Sequence, residues 1–194
     1  MKPGDHPEFF RFPAPEGRSR ESSIVLDAAG RFWHDGERIE HPGMAKAFAR
    51  WMARHPDDGR YILTNDYDWT YLTVEDTPYF VSRVNLGGQS GSSAAVVEAT
   101  LQLSDGTEEP LRLAALREGP DGSLYTWVKQ GAFEARFTPA AQLDLAPLVV
   151  EEGEQVLLAL GDERVLPPPR ERDARSPLGA LESVVLEPGG APRD

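Results

Sequence analysis

The sequence predicts an α+β fold of two mainly antiparallel β halves, each accompanied by one helix. Three observations lead there. Short β-branched and aromatic runs recur along most of the chain, separated by glycine-containing turns. One amphipathic helical stretch interrupts the first series of runs, and a shorter one follows the second series. Strand runs joined by short polar turns favour antiparallel pairing, with the helices set to one side.

Residues 1–22 are polar and carry Pro3, Pro7, Pro13 and Pro15, so they predict an extended surface segment, with Phe9, Phe10 and Phe12 able to pin it. Ser23–Leu26 reads as a strand, Asp27–Gly30 as a turn and Arg31–His34 as the returning strand. Asp35-Gly36 between strand-like runs is a hairpin signal, and Glu37–Glu40 follows as a third strand. Residues 42–55 predict the main helix: Pro42 suits its first position, and Met44, Phe48, Trp51 and Met52 recur at i, i+4, i+7 and i+8. Lys46, Arg50 and Arg54 form a basic stripe on another face, and Asp57-Asp58-Gly59 ends the helix.

Arg60–Thr64, Thr70–Val74 and Tyr79–Val84 are the next strands. The glycine- and serine-rich stretch 87–93 reads as a loop at the seam between the halves. Ala95–Leu103 and Glu109–Leu116 flank the turn Ser104–Thr107, and Leu124–Lys129 and Ala132–Phe137 flank Gln130-Gly131. A short helix is expected over Pro139–Leu145 and a last strand over Gln155–Leu160. The expected divisions are an extended segment 1–22, an N-terminal α+β subdomain 23–86, a C-terminal β-rich subdomain 87–165, and a disordered tail 166–194 in which only Leu181–Leu186 could dock.

The chain has 194 residues, enough for one domain or two small ones, and 40% of them are hydrophobic. It holds 32 acidic and 20 basic residues, a formal net charge of −12. That balance repels nucleic acid and anionic lipid on average, so neither a DNA or RNA duplex nor a membrane is an expected partner. The absence of cysteine excludes disulfides, thiol nucleophiles, cysteine zinc sites and iron–sulfur clusters. No apolar run has the length of a signal peptide at the N-terminus, and none approaches the ~18 residues of a membrane span, so a cytoplasmic protein is expected.

No catalytic motif is assembled. Gly87–Ser93 has the composition of a phosphate cradle but lacks the Gly-Lys-Ser/Thr ending of a P-loop, and Gly88–Ser92 lacks the closing glycine of a nucleophile elbow. His34 and His41 are seven apart, and Asp57-Asp58-Gly59 and Asp66-Tyr67-Asp68 are too sparse for calcium, so no metal site and no cofactor are expected. Adjacent strand residues face opposite ways, so Glu75-Asp76 reads as a turn rather than a carboxylate pair. Trp69, beside the polar run Asn65–Asp68, has either a core role or the look of a binding aromatic.

The ordered set Gly30-Arg31-Phe32-Trp33-His34-Asp35-Gly36, Ile39, Pro42, Leu63-Thr64, Val74-Glu75-Asp76-Thr77-Pro78-Tyr79 and Lys129–Arg136 resembles an uncharacterised bacterial family, domain of unknown function 1285. The resemblance spans residues 23–146 and departs from the family pattern at Lys129-Gln130-Gly131, where the family carries Arg-Gly-Gly, and at Asn65, where it carries proline. It implies a two-part fold whose second half is similar to pleckstrin-homology-like folds. It also implies a site between the parts for a nucleotide-like ligand, in a signalling role.

The expected function is thus a non-enzymatic binding module for a small anionic ligand or a protein partner. The candidate ligand-binding residues are Trp33, His34, Arg38, Thr64 and Trp69 in the first half and Lys129 and Arg136 in the second. Aromatics would stack on the ligand and the cations would neutralise it. Two alternatives stand beside it: an enzyme with His34 as base oriented by Glu75 or Asp76, and an adaptor that pairs through an exposed sheet edge.

Overall fold

A computed structural model describes residues 2–6, 8–89 and 96–171. The fold is mainly β, with two short helices and several mostly antiparallel sheets. Two compact units are distinguished. The first runs through Phe80 and includes Leu103–Thr107; the second comprises Val81–Gln102 and the described residues from Glu108 onward.

In the first unit, β1 (Val25–Leu26), β2 (Phe32–His34) and β3 (Glu37–Arg38) form a meander. Asp35 and Gly36 have φ of 52° and 80°, the positive values that the tight turn between β2 and β3 needs. Helix α1 (Pro42–Arg50) follows, with His41 Nδ1 accepting the Met44 N–H at its start. Next come β4 (Met52–Arg54), β5 (Tyr61–Thr64), β6 (Trp69–Tyr71) and β7 (Thr73–Val74). β4, β5 and β6 form one antiparallel sheet, while β7 joins β1 in parallel to complete a four-stranded sheet of order β3-β2-β1-β7.

The helix is shorter than the sequence predicts. Trp51 closes it, and Met52–Arg54 pairs with Tyr61–Leu63 as a strand. The reason is a degeneracy of pattern: residues four and eight apart share a face in a helix and in a strand alike. Met44, Phe48 and Met52 therefore do not distinguish the two. Met52 is buried, as its position in the stripe demands, but Met44 and Trp51 are exposed and Ala49 is the buried helical residue. The basic stripe is broken for the same cause. Arg50 donates to the Asp105 carbonyl, while Arg54 lies on β4 and binds Gly59 O and Tyr61 Oη.

Phe9, Ile62 and Trp69 form a buried cluster, with Phe10, Ala53 and Tyr71 packed against it. The N-terminal segment is thus pinned by Phe9 and Phe10, whereas Phe12 stays exposed. The strand expected over Thr70–Val74 is split at Leu72, which separates β6 from β7.

β8 (Tyr79–Gln89) includes Gly87–Gln89, where a loop was expected to begin; Ser90–Ser93 fall outside the described residues. β9 (Val96–Leu103) and β10 (Glu108–Pro110) flank the Ser104–Thr107 turn as expected. The strand expected on to Leu116 gives way to a 3-10 turn at Leu113–Ala115. β11 (Arg117–Glu118), β12 (Leu124–Val128) and β13 (Phe133–Phe137) complete a six-stranded sheet of order β10-β9-β8-β13-β12-β11. Helix α2 (Pro139–Asp144) starts on Thr138, whose Oγ1 accepts the Ala141 N–H. β14 (Val149–Glu152), β15 (Gln155–Leu160) and β16 (Glu163–Val165) form a final antiparallel meander, so Gln155–Leu160 is not the last strand. Leu113, Leu116, Phe137, Leu145 and Leu148 of this unit are almost fully buried.

The segment after β16 belongs to the fold up to residue 171, rather than starting the tail expected from residue 166. Glu118 N–H donates to Pro168 O, Arg170 N–H donates to Glu118 O, and the Arg170 side chain pairs with Glu134. Leu181–Leu186 lie outside the described residues.

Candidate functional site

Across the four-stranded sheet, Thr73 and Trp33 both lie opposite Val25, and Trp33 lies opposite Arg38. Opposed residues share a face, so Trp33 and Arg38 stand side by side, away from the buried pair Leu26 and Phe32. Ser23, Val25, Asp27, Arg31, Trp33, Gly36 and Glu75 line an open concavity of about 660 Å³ on this side.

Asp27 organises it. Its Oδ1 accepts the N–H groups of Ala29 and Arg31, each at 2.9 Å. Its Oδ2 accepts Arg31 Nε at 2.7 Å and Trp33 Nε1 at 2.8 Å. Burial pushes the Asp27 carboxyl up, but the donated N–H groups of Arg31, Trp33 and Ala29 outweigh it and hold the group below its ordinary value. The Arg31 guanidinium lies 5.8 Å from the centre of the Trp33 ring. Glu75 Oε2 accepts the Ala28 N–H at 3.0 Å and ties the same turn down from β7. The indole is therefore fixed in orientation by a buried acceptor, with an exposed guanidinium opposite it.

Within the first unit, the structure brings Trp33 and Arg38 together and leaves the other candidates apart from them. His34 ends β2 as an exposed residue, its Nδ1 3.7 Å from Asp35 Oδ2. Glu75 follows Val74, which aligns with Leu26 at the opposite end of the ladder, and its carboxylate is bound to the Ala28 N–H. The sheet does not assemble His34 with Glu75 as an acid–base pair. Thr64 serves the β5–β6 turn: its Oγ1 donates to Asp68 O and accepts the Asp66 N–H.

Trp69 is a core residue, 6% exposed. The rings of His55, Tyr71 and Phe10 lie 5.0, 5.2 and 6.2 Å from it, and the Arg20 guanidinium covers it at 4.5 Å.

Lys129 and Arg136 belong to the second unit. Lys129 Nζ lies 3.6 Å from Glu109 Oε1 and its N–H also donates to that carboxylate. Arg136 donates to Asp121 Oδ2 at 2.8 Å and to Ser123 Oγ at 2.6 Å. Lys129 lies just past the Val128–Phe133 pair, whereas Arg136 lies opposite Tyr125. At ~3.3 Å per residue this separates them by roughly 13 Å, at opposite ends of one hairpin. Among the described residues no group of three or more His, Asp or Glu side chains is clustered as a metal site. No helix among them is long and apolar enough to cross a membrane.

No family model matches the chain, and no curated protein matches it. The structure is similar to the crystal structure of a DUF1285 family protein from Silicibacter pomeroyi, with a TM-score of 0.58 at 17% identity, over 89% of this chain and 95% of that one. The chain shares the DUF1285 fold. A second DUF1285 family protein, from Shewanella baltica, is similar over 65% of this chain and 91% of its own, with a TM-score of 0.48 at 18% identity.

On this DUF1285 fold, sequence reasoning missed Asp27 and Arg31. A signal was present. With Leu26 opposite Phe32, the next pair is Asp27 and Arg31, and Asp27 then lies diagonal to Trp33. The hairpin had to be put in register before that carboxylate and that indole could be seen as partners.

Proposed function

We propose that the chain is a non-covalent binding module whose ligand stacks on Trp33 and is small, planar and anionic, nucleotide-like in chemistry. The observation that carries this reading is the immobilised indole with Arg38 directly opposite it on a solvent-facing strand surface. A ring already held in place loses little freedom when a ligand stacks on it. Arg38 supplies the positive charge for a phosphate or carboxylate. The negative charge of Asp27 is met by Arg31, so it offers little repulsion. A pleckstrin-homology-like second half and a signalling role belong to the same proposal; the mainly antiparallel second unit, with α2 directly after β13, supports the former.

The test is a titration of nucleotides and sugar phosphates against the wild type and Arg38→Ala, followed by thermal shift and calorimetry. Arg38 is exposed, so its removal leaves the fold standing. One phosphorylated class should raise the melting temperature. Arg38→Ala should weaken it about tenfold or more, the worth of a hydrogen bond to a charged group. Binding that is unchanged in Arg38→Ala, or no binding at millimolar concentration, would remove the proposal.

A further inference from the structure

The outer edge of β11 is already occupied, and its occupant describes the site. Glu118 N–H donates to Pro168 O at 2.9 Å, and Arg170 N–H donates to Glu118 O at 2.7 Å. Glu118 and Pro169 form a parallel bridge. The chain's own segment thus bridges to the sheet edge at a single residue, through the same backbone contacts by which sheets capture extended peptides. Its side-chain anchor is Arg170. Nε donates to Glu134 Oε1 at 3.0 Å and Nη2 to Oε2 at 2.7 Å, a fork-on-carboxylate contact. The guanidinium lies 3.8 Å from the centre of the Tyr125 ring, within stacking distance. Both partners of the ion pair are largely buried, with side chains 8% and 13% exposed.

A carboxylate this shielded is costly without a cation. Here the cation is the Arg170 guanidinium, which meets both carboxylate oxygens. The residues that lead in, Pro167-Pro168-Pro169, favour an extended backbone before any contact forms, which lowers the entropy cost of docking. Backbone edge, carboxylate and aromatic ring together form a reader of a proline-led extended strand that closes on arginine.

We propose that the β11 edge with the Tyr125–Glu134 notch is a peptide-binding site, filled in cis by Pro168–Arg170. Its partner in trans is a protein segment of the same chemistry. The tethered segment competes at an effective concentration in the millimolar range, so the site is closed to weak ligands until the tether is displaced.

The experiment uses the full chain carrying Arg170→Asp, which sets a carboxylate against Glu134 and vacates the notch. A fluorescent peptide of residues 165–171, Val-Leu-Pro-Pro-Pro-Arg-Glu, is titrated in and read by anisotropy. It should bind Arg170→Asp about tenfold tighter than the wild type, the margin that loss of a tethered competitor allows. Adding Glu134→Gln, or replacing the peptide's arginine by alanine, should abolish that gain. If Arg170→Asp does not fold, as judged by circular dichroism, Arg170→Gln takes its place with the same expectations. Equal binding to vacated and wild-type chains, or equal binding of the alanine peptide, would show a structural strap and no peptide site.

Discussion

Asp27 carries more than its turn position suggests. Among buried carboxylates its contacts are dense: two backbone N–H groups on one oxygen, and an arginine and an indole on the other. Asn at this position keeps one acceptor, but its amide nitrogen would face Arg31 Nε and Trp33 Nε1, donor against donor. Asp27→Asn should therefore cost about 2–3 kcal/mol at neutral pH, the range for losing charged hydrogen bonds in a shielded site. The folded carboxyl lies below its unfolded value of about 3.9, so its contribution is complete above that pH and fades as pH falls through the folded value. Urea unfolding at pH 7 and at pH 3 should show the variant and the wild type converging at the lower pH; a constant gap would mean that Asp27 acts by shape alone. For Trp69 the sequence left a core role and a binding role open, and burial gives it the core role. The groups that cover it, Phe10, Arg20 and His55, come from distant parts of the sequence.

At the scale of elements, turns were the most legible feature because their chemistry is local. Asp35-Gly36 announced the β2–β3 hairpin, and both residues adopt positive φ. An added Cβ at Gly36 meets nothing within 4 Å, so Gly36→Ala isolates the backbone cost of a left-handed conformation. That cost is about 1 kcal/mol. Gly36→Asn should lose less, since asparagine tolerates this region better. Chemical denaturation of the two variants checks the order; alanine that matches glycine would refute a φ-driven turn. Element types were less legible where two periods coincide. Met52 satisfied the helical stripe and the strand alternation alike, and its pairing with Leu63 decided the matter. A very short strand such as β7 takes its identity from β1, a partner far along the chain, so local pattern holds little of it.

For the molecule as a whole, a mainly β chain of mostly antiparallel strands with two short helices was legible from the rhythm of strands and helices, but the membership of the Leu103–Thr107 turn in the first unit was not. That assignment rests on long-range contacts such as Ser104 N–H to Phe80 O, which no local pattern encodes. Global charge poses a further question of sign. A net charge of −12 repels itself, and acid relieves that repulsion. Against this, among the described residues six carboxylates are held below their ordinary values: Glu21, Asp27, Asp57, Asp58, Asp68 and Asp121. Arg60 lowers Glu21, Arg11 lowers Asp57, the Arg60 N–H lowers Asp58 and Ser123 lowers Asp121. At Asp68, burial pushes the other way and is outweighed by Arg20 and the Trp69 N–H. Because each group has a lower value folded than unfolded, the unfolded chain binds more protons as pH drops below about 4, and stability falls with it. The exposed pairs contribute little singly, but all six act in the same direction, and Asp27 is shielded. The melting temperature should hold level from about pH 8 to pH 5 and fall steeply below about pH 4. A rise between pH 5 and pH 3.5 would mean instead that relief of charge repulsion outweighs the lost carboxylate contacts.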